Sequence, residues 1–234
     1  MFTQKFQAWI RRWAERAIGV FRESPITPNM LTLFGLAITA FGALLVATGH
    51  FLSGGLVLLF AGLFDILDGA LARAAGKVYR YGAFLDSTVD RYSEGVVYLG
   101  ILVYFLQRHD TLGSVVVLVA LAGSFLVSYV RARAQSLGFT CDVGILARPE
   151  RVVIIVAGLL LEPIQFRGVS ALTIALWVLA VGTNFTAVQR VWVVWQQNRA
   201  ELRALRGQPV AEEPVPERPV RAAMRRFFEN LGKT

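Results

Sequence analysis

Histidine and cysteine are almost missing from this chain. The two histidines, His50 and His109, fall in short connecting stretches, so a histidine triad or a histidine-rich zinc site has nothing to build from. The single cysteine, Cys141, cannot close an internal disulfide and has no metal-site spacing around it. Charge is scarce too: 17% of residues are charged, against about a quarter in a soluble domain. No internal repeat is visible, which excludes solenoids and propellers. Residues 2–22 carry charges throughout, with no apolar core and cleavage site after them, so no signal peptide is expected there.

What is present is apolar. Hydrophobic residues make up 55% of the 234 positions, and the mean hydropathy is +0.53. Apolar segments long enough to cross a ~30 Å hydrocarbon core recur along the chain. The 21 glycines suit close helix packing in lipid. The expected fold is an all-α integral membrane protein with six transmembrane helices, near 30–49, 52–73, 83–107, 112–134, 150–163 and 169–196.

Of 24 basic residues, only Arg108 and Arg167 fall in the connections near 50, 109 and 165. The rest cluster at the opposite ends of the spans, which predicts both termini in the cytoplasm and a multi-pass protein of the cytoplasmic membrane. The net charge of +8 then reads as topology and contact with membrane lipids, not as a nucleic-acid surface.

Three segments are expected. Residues 1–24 read as a basic amphipathic juxtamembrane helix, with Phe2, Phe6, Trp9, Trp13 and Phe21 at helical spacing. Packing of that helix on the protein's own cytoplasmic face is the alternative. Residues 25–198 hold the six helices. Residues 199–234 form a cytoplasmic linker, rich in Pro, Glu and Val, and a basic amphipathic tail.

Against this apolar background, five acidic residues stand between positions 31 and 106: Asp65, Asp68, Asp86, Asp90 and Glu94. A lone carboxylate in lipid costs several kcal/mol, so such groups face a cavity or one another. Asp65 and Asp68 are one turn apart on one helix, and Asp86 and Asp90 one turn apart on the next. A short loop makes the helices antiparallel, so the four aspartates can converge at the cytoplasmic end. Four such charges repel unless cations intervene. Hard oxygen ligands suit Mg²⁺, with Mn²⁺ as its alternative, and two ions serve phosphoryl displacement. Gly69 and Gly82 allow close approach to the helix backbones, Ala70 and Ala72 keep that face low, and Arg73 can neutralise phosphate oxygens. Each glycine could equally be a helix-packing contact, and Arg73 a topological anchor.

The pattern Asp65-x-x-Asp68-Gly69-x-x-Ala72-Arg73, eight residues, then Gly82-x-x-x-Asp86-x-x-x-Asp90 resembles the complete signature of the CDP-alcohol phosphotransferases. That resemblance implies a phosphatidyltransferase. CDP-diacylglycerol binds with its diphosphate on two metal ions, an alcohol attacks the lipid-side phosphorus, and CMP leaves. It implies Asp65, Asp68, Asp86 and Asp90 as metal ligands, with Asp90 also the catalytic general base. Gly69, Ala72, Arg73 and Gly82 would shape the nucleotide site. Pro28, Asn29 and Thr32 in "TPNMLT" resemble the family's start of the first span, near the nucleotide. A plain helix start, with Thr27 as N-cap and Pro28 at N1, accounts for them equally.

The arginines around 128–151 point to an acceptor carrying its own phosphate. Topology explains some of them, but Arg190 sits in an otherwise apolar stretch. "SYVRARA", "RPER" and "FLDSTVDR" resemble the phosphatidylinositol-phosphate synthases of actinobacteria and their archaeal relatives. This implies inositol 1-phosphate as acceptor, its phosphate lined by Arg131, Pro149, Arg151 and Arg190. Those enzymes carry Lys where this chain has Arg131, which keeps glycerol 3-phosphate as the competing acceptor. A divalent-cation transporter is the non-enzyme alternative, and a membrane scaffold ranks below it. A homodimer is expected from the family and from the small residues Ala122, Gly123 and Ser124.

Overall fold

The structure, a computed structural model, describes residues 28–74, 80–166 and 168–206; the side chains of 66–74 lie outside that description. The two expected amphipathic segments, 1–24 and the tail beyond 206, also lie outside the described residues.

Six helices account for nearly all of it. They are α1 (Pro28–Ala47), α2 (Phe51–Ala74), α3 (Arg80–Gln107), α4 (Thr111–Ser136), α5 (Arg148–Leu160) and α6 (Ala171–Arg206). A two-stranded antiparallel hairpin, β1 (Gln165–Phe166) with β2 (Val169–Ser170), interrupts the expected all-helical pattern between α5 and α6. Three helix ends turn sharply by one device. Gly49, His109 and Gly138 take the left-handed conformation, with φ of 84°, 55° and 85°. The next amide in each case reaches back to a carbonyl five residues earlier, as in His50 N–H to Leu45 O, at 2.8 Å. Asp110 caps the start of α4, its side chain accepting from the Gly113 amide at 2.8 Å.

Among the described residues, three stretches are long and apolar enough to cross a bilayer: Asn29–Ala47, Thr111–Ser136 and Ala171–Arg203. The apolar part of α2, Phe51–Asp65, is shorter. The carboxylates of α3 lower its hydropathy, and the 13 residues of α5 span only about 20 Å. Outward-facing Leu33, Phe41, Leu56, Phe60, Leu118, Trp177 and Phe185 are exposed, as lipid-facing side chains are. The protein is a membrane protein whose apolar exterior takes the bilayer as solvent.

The chain divides into two compact units at Val194/Trp195. In the first, α1 packs on α2 and α3, α3 on α4, and α2 on α5. Val46, Tyr98, Ile101, Val117, Leu159, Leu172, Leu176 and Leu179 make one core. Close approach is set by glycine: a Cβ on Gly100 of α3 would lie 2.4 Å from the Ala43 carbonyl oxygen of α1. In the second unit, the Arg199 guanidinium lies over the Trp195 ring, 4.7 Å from its centroid.

The small residues of α4 serve this core. Gly123 faces Thr183 of α6 so closely that a Cβ would lie 2.1 Å from its Oγ1. Ser124 Oγ pairs with the buried Tyr98 hydroxyl at 3.0 Å. Both are buried within one chain, where their small size admits α6 and a tyrosine of α3.

Candidate active site

Asp65 lies toward the C-terminal end of α2, and Asp86 and Asp90 lie on the first turns of α3. These ends of α2 and α3 come together at the carboxylates. One carboxylate oxygen from each of Asp65, Asp86 and Asp90 lies within 4.8 Å of the other two. Carboxylates held this closely fit a divalent cation, which takes hard oxygen donors and cancels their repulsion. Asp68 follows one turn after Asp65 along α2, and Gly69, Ala72 and Arg73 follow it; their side chains fall outside the description. Asn29 and Gly82, both expected at the nucleotide, are neighbours: a Cβ on Gly82 would sit 3.8 Å from Asn29 Oδ1. Pro28 opens α1 directly before Asn29.

Arg148, the first residue of α5, enters the same cluster. Its Nη1 lies 2.9 Å from Asp65 Oδ2 and its Nη2 lies 2.7 Å from Asp90 Oδ1. The other oxygen of Asp90 lies 3.5 Å from Arg91. Below the carboxylates a cavity of about 80 Å³ opens between α1, α2, α3 and α5. Asp65, Asp90, Glu94 and Arg148 line its polar end, and Leu36, Leu58, Val97 and Val156 its apolar end.

The four residues expected around the acceptor phosphate have different surroundings. Arg151 is buried, and it donates to both oxygens of Glu94, at 2.6 and 2.9 Å. It also donates to Leu146 O at 3.1 Å and approaches Ser128 Oγ at 3.4 Å. Four of its five N–H groups are thereby directed to the chain itself. Arg190 is buried too, but its bonds go to carbonyls, Val143 O at 2.8 Å and Val127 O at 2.6 Å. Arg131 is exposed and pairs with Asp142 at 2.6 Å. Pro149 stands in the first turn of α5, beside Arg148.

The α4–α5 loop covers Arg190 because of Gly144. Its φ of 127° is open only to glycine. A Cβ there would lie 2.4 Å from the Thr186 methyl and 3.4 Å from Arg190 Nε. Cys141 on the same loop is buried, and burial pushes its thiol above the usual range although Arg190 pulls the other way. The buried side chain packs as a small apolar group.

Glu94 and Arg148 line the candidate site, and spacing alone assigned neither a role. Glu94 continues the Asp86, Asp90 series by four residues, which places it on the same helix face. Arg148 and Arg151, three residues apart on α5, meet Asp90 and Glu94, four apart on α3.

With this geometry in place, the sequence profile of the CDP-alcohol phosphatidyltransferases matches residues 25–197. The chain belongs to that family. Phosphatidylinositol phosphate synthase of Mycobacterium marinum is 39% identical over 192 residues, covering 80% of this chain and 82% of the relative. The enzyme of that name from Mycobacterium tuberculosis is also 39% identical, over 174 residues, covering 73% of this chain and 80% of its own. A crystal structure of the tuberculosis enzyme with CDP-DAG bound superposes with a TM-score of 0.70 at 37% identity, covering 78% of this chain and 92% of that one. Another, in complex with manganese and citrate, also gives 0.70, at 36% identity and covering 78% and 88%. For a CDP-alcohol phosphatidyltransferase, the aspartate cluster is the metal-binding candidate, and the transporter and scaffold readings lose their ground.

Proposed function

We propose that this phosphatidyltransferase joins the phosphatidyl group of CDP-diacylglycerol to a hydroxyl of inositol 1-phosphate and releases CMP, at the cytoplasmic face of the cell membrane. The observation that carries this reading is the convergence of Asp65, Asp86 and Asp90; a buried arginine, Arg190, hydrogen-bonded only to carbonyls among the described residues, supports the choice of acceptor. A desolvated guanidinium with neutral partners is ready for an anion, and a phosphorylated acceptor supplies one. Thr186 Oγ1 and Gln189 Oε1, on the helix turn that carries Arg190, are buried without a hydrogen-bond partner among the described residues. Such groups suit the hydroxyls of a polyol.

Asp65, Asp68, Asp86 and Asp90 would hold two divalent ions, Mg²⁺ or Mn²⁺, whose charge neutralises the diphosphate when bound. Asn29, Gly69, Ala72, Arg73 and Gly82, with Pro28 opening α1, would shape the cytidine end. Asp90 takes the proton of the attacking hydroxyl. The acceptor oxygen bonds to the lipid-side phosphorus while the bond from that phosphorus to the bridging oxygen breaks, and CMP departs with that oxygen. Arg131 and Arg190 would bind the acceptor phosphate with Pro149 beside them; Arg151 contributes its charge and its remaining Nη1 proton. All six helices would span the bilayer with both termini cytoplasmic, residues 25–198 forming the catalytic domain and the protein working as a homodimer.

The test is CMP release from purified protein with CDP-diacylglycerol and Mg²⁺, offering inositol 1-phosphate, glycerol 3-phosphate, inositol and serine in parallel. Turnover with inositol 1-phosphate alone is the expected result. Turnover with glycerol 3-phosphate instead would keep the aspartate chemistry and reassign the arginines.

A further inference from the structure

Arg148 has no role in the proposed reaction, yet its guanidinium contacts two aspartates of the cluster. One guanidinium spans two helices: Nη1 holds Asp65 Oδ2 at 2.9 Å and Nη2 holds Asp90 Oδ1 at 2.7 Å. Asp90 is thus approached by arginine at both oxygens, since Arg91 stands 3.5 Å from Oδ2. A carboxylate oxygen that accepts from a guanidinium at 2.7 Å has its lone pair directed at that donor. It cannot serve a metal ion or a substrate hydroxyl through that lone pair at the same moment. Asp65 and Asp90 are also two of the three aspartates whose oxygens converge within 4.8 Å. Arg148 and a divalent cation therefore draw on the same two carboxylates.

The alternative partners of Arg148 are close. It is the first residue of α5, its side chain is 31% exposed, and it lines the cavity that the carboxylates overhang. Arg151, three residues on, is locked by Glu94, Leu146 and Ser128 and cannot follow it. A long side chain on a fixed helix end can change partner without moving the helix.

We propose that Arg148 is an exchanging counter-ion: it pairs Asp65 and Asp90, carboxylates that a divalent cation also requires, and on cation binding it passes to a phosphate group of a substrate. The exchange links metal loading to substrate binding, because the released guanidinium is a positive group at the cavity mouth. This rests on the phosphatidyltransfer reading for the identity of the phosphate, which is either the diphosphate of CDP-diacylglycerol or the phosphate of the acceptor.

Arginine-directed labelling with phenylglyoxal, mapped by mass spectrometry on the full chain in detergent, tests the exchange. Arg148 should label several-fold faster with Mg²⁺ than with EDTA, while buried Arg151 stays slow in both. Adding CDP-diacylglycerol or inositol 1-phosphate to the Mg²⁺-loaded protein should slow Arg148 again, and whichever does so identifies the phosphate. In parallel, Arg148→Gln should bind Mn²⁺ roughly tenfold more tightly in the absence of lipid substrate, with Arg148→Lys between it and the parent. Labelling of Arg148 that is unchanged or slower with Mg²⁺ would overturn the exchange, since the guanidinium would then share its carboxylates with the metal. Failure of both substrates to slow labelling would overturn the transfer to phosphate. None of these readouts needs turnover, so silence in the CMP-release assay would remove the proposed reaction and leave this result standing.

Discussion

Asp90 and Glu94 lie one turn apart on α3 and meet different fates. Asp90 lines a cavity, partly buried beside Arg148 and Arg91, and is the proposed base. Asp90→Asn should cut kcat by about 10²–10⁴-fold while CDP-diacylglycerol still binds; equilibrium binding and single-turnover rates on one preparation separate the two effects, and full activity would end its assignment as base. Glu94 is buried and bonded at both oxygens by Arg151. Arg151→Ala strands that carboxylate and should destabilise the protein by about 3–5 kcal/mol. Combining it with Glu94→Gln should restore part of the loss, because no unpaired charge then remains. Thermal unfolding in detergent of the two single variants and the pair reads this directly. A rise in acceptor KM in Arg151→Ala has meaning only beside that stability measurement.

At the scale of elements, the site is built where helix ends are tied together. The first turn of α5 is fastened to α3 by Arg148 on Asp90 and Arg151 on Glu94, and to α2 by Arg148 on Asp65. The α4–α5 loop is fastened over α6 by Arg190, and Gly144 makes that passage possible. Gly144→Ala forces a Cβ into the Thr186 methyl at a φ that alanine rarely adopts. The expected result is an acceptor KM raised about tenfold or more with the CDP-diacylglycerol KM nearly unchanged, since the loop lies on the arginine side of the site. Equal changes in both KM values would show that the loop supports the whole site and not the acceptor pocket. Gly100 plays the comparable part between α1 and α3: Gly100→Ala places a methyl 2.4 Å from a backbone oxygen, and should lower stability by about 1–3 kcal/mol in thermal unfolding.

On the scale of the whole molecule, the exterior is hydrocarbon-compatible, and among the described residues the buried charged side chains are few: Glu94, Arg151 and Arg190. Chelation should therefore act on chemistry more than on the fold. EDTA should abolish CMP release, Mg²⁺ or Mn²⁺ should restore it, and circular dichroism should show the helices intact throughout. Loss of helix on chelation would mean that the metal supports the bundle. The helices themselves hold together through apolar cores and glycine contacts away from the carboxylates, such as Gly100 on Ala43 and Gly123 on Thr183.

The six helices and the aspartate spacing were determined by the sequence. Both are local properties: apolar runs bounded by turn residues mark helices, and carboxylates three or four residues apart share a helix face whatever lies around them. Boundaries were less local. Helix α3 begins three residues before its expected start, bringing Gly82 into the helix, and α6 runs on to Arg206 through good helix formers such as Ala200, Leu202 and Arg203. Which arginine meets which carboxylate was decided only by tertiary structure. In the sequence Arg131, Arg148, Arg151 and Arg190 look alike, basic residues at one end of a bundle. Their partners lie across the fold: Asp65 is 83 positions from Arg148, and Glu94 is 57 from Arg151. Charge pairing depends on distance in space, and only the packing of α5 against α2 and α3 sets it.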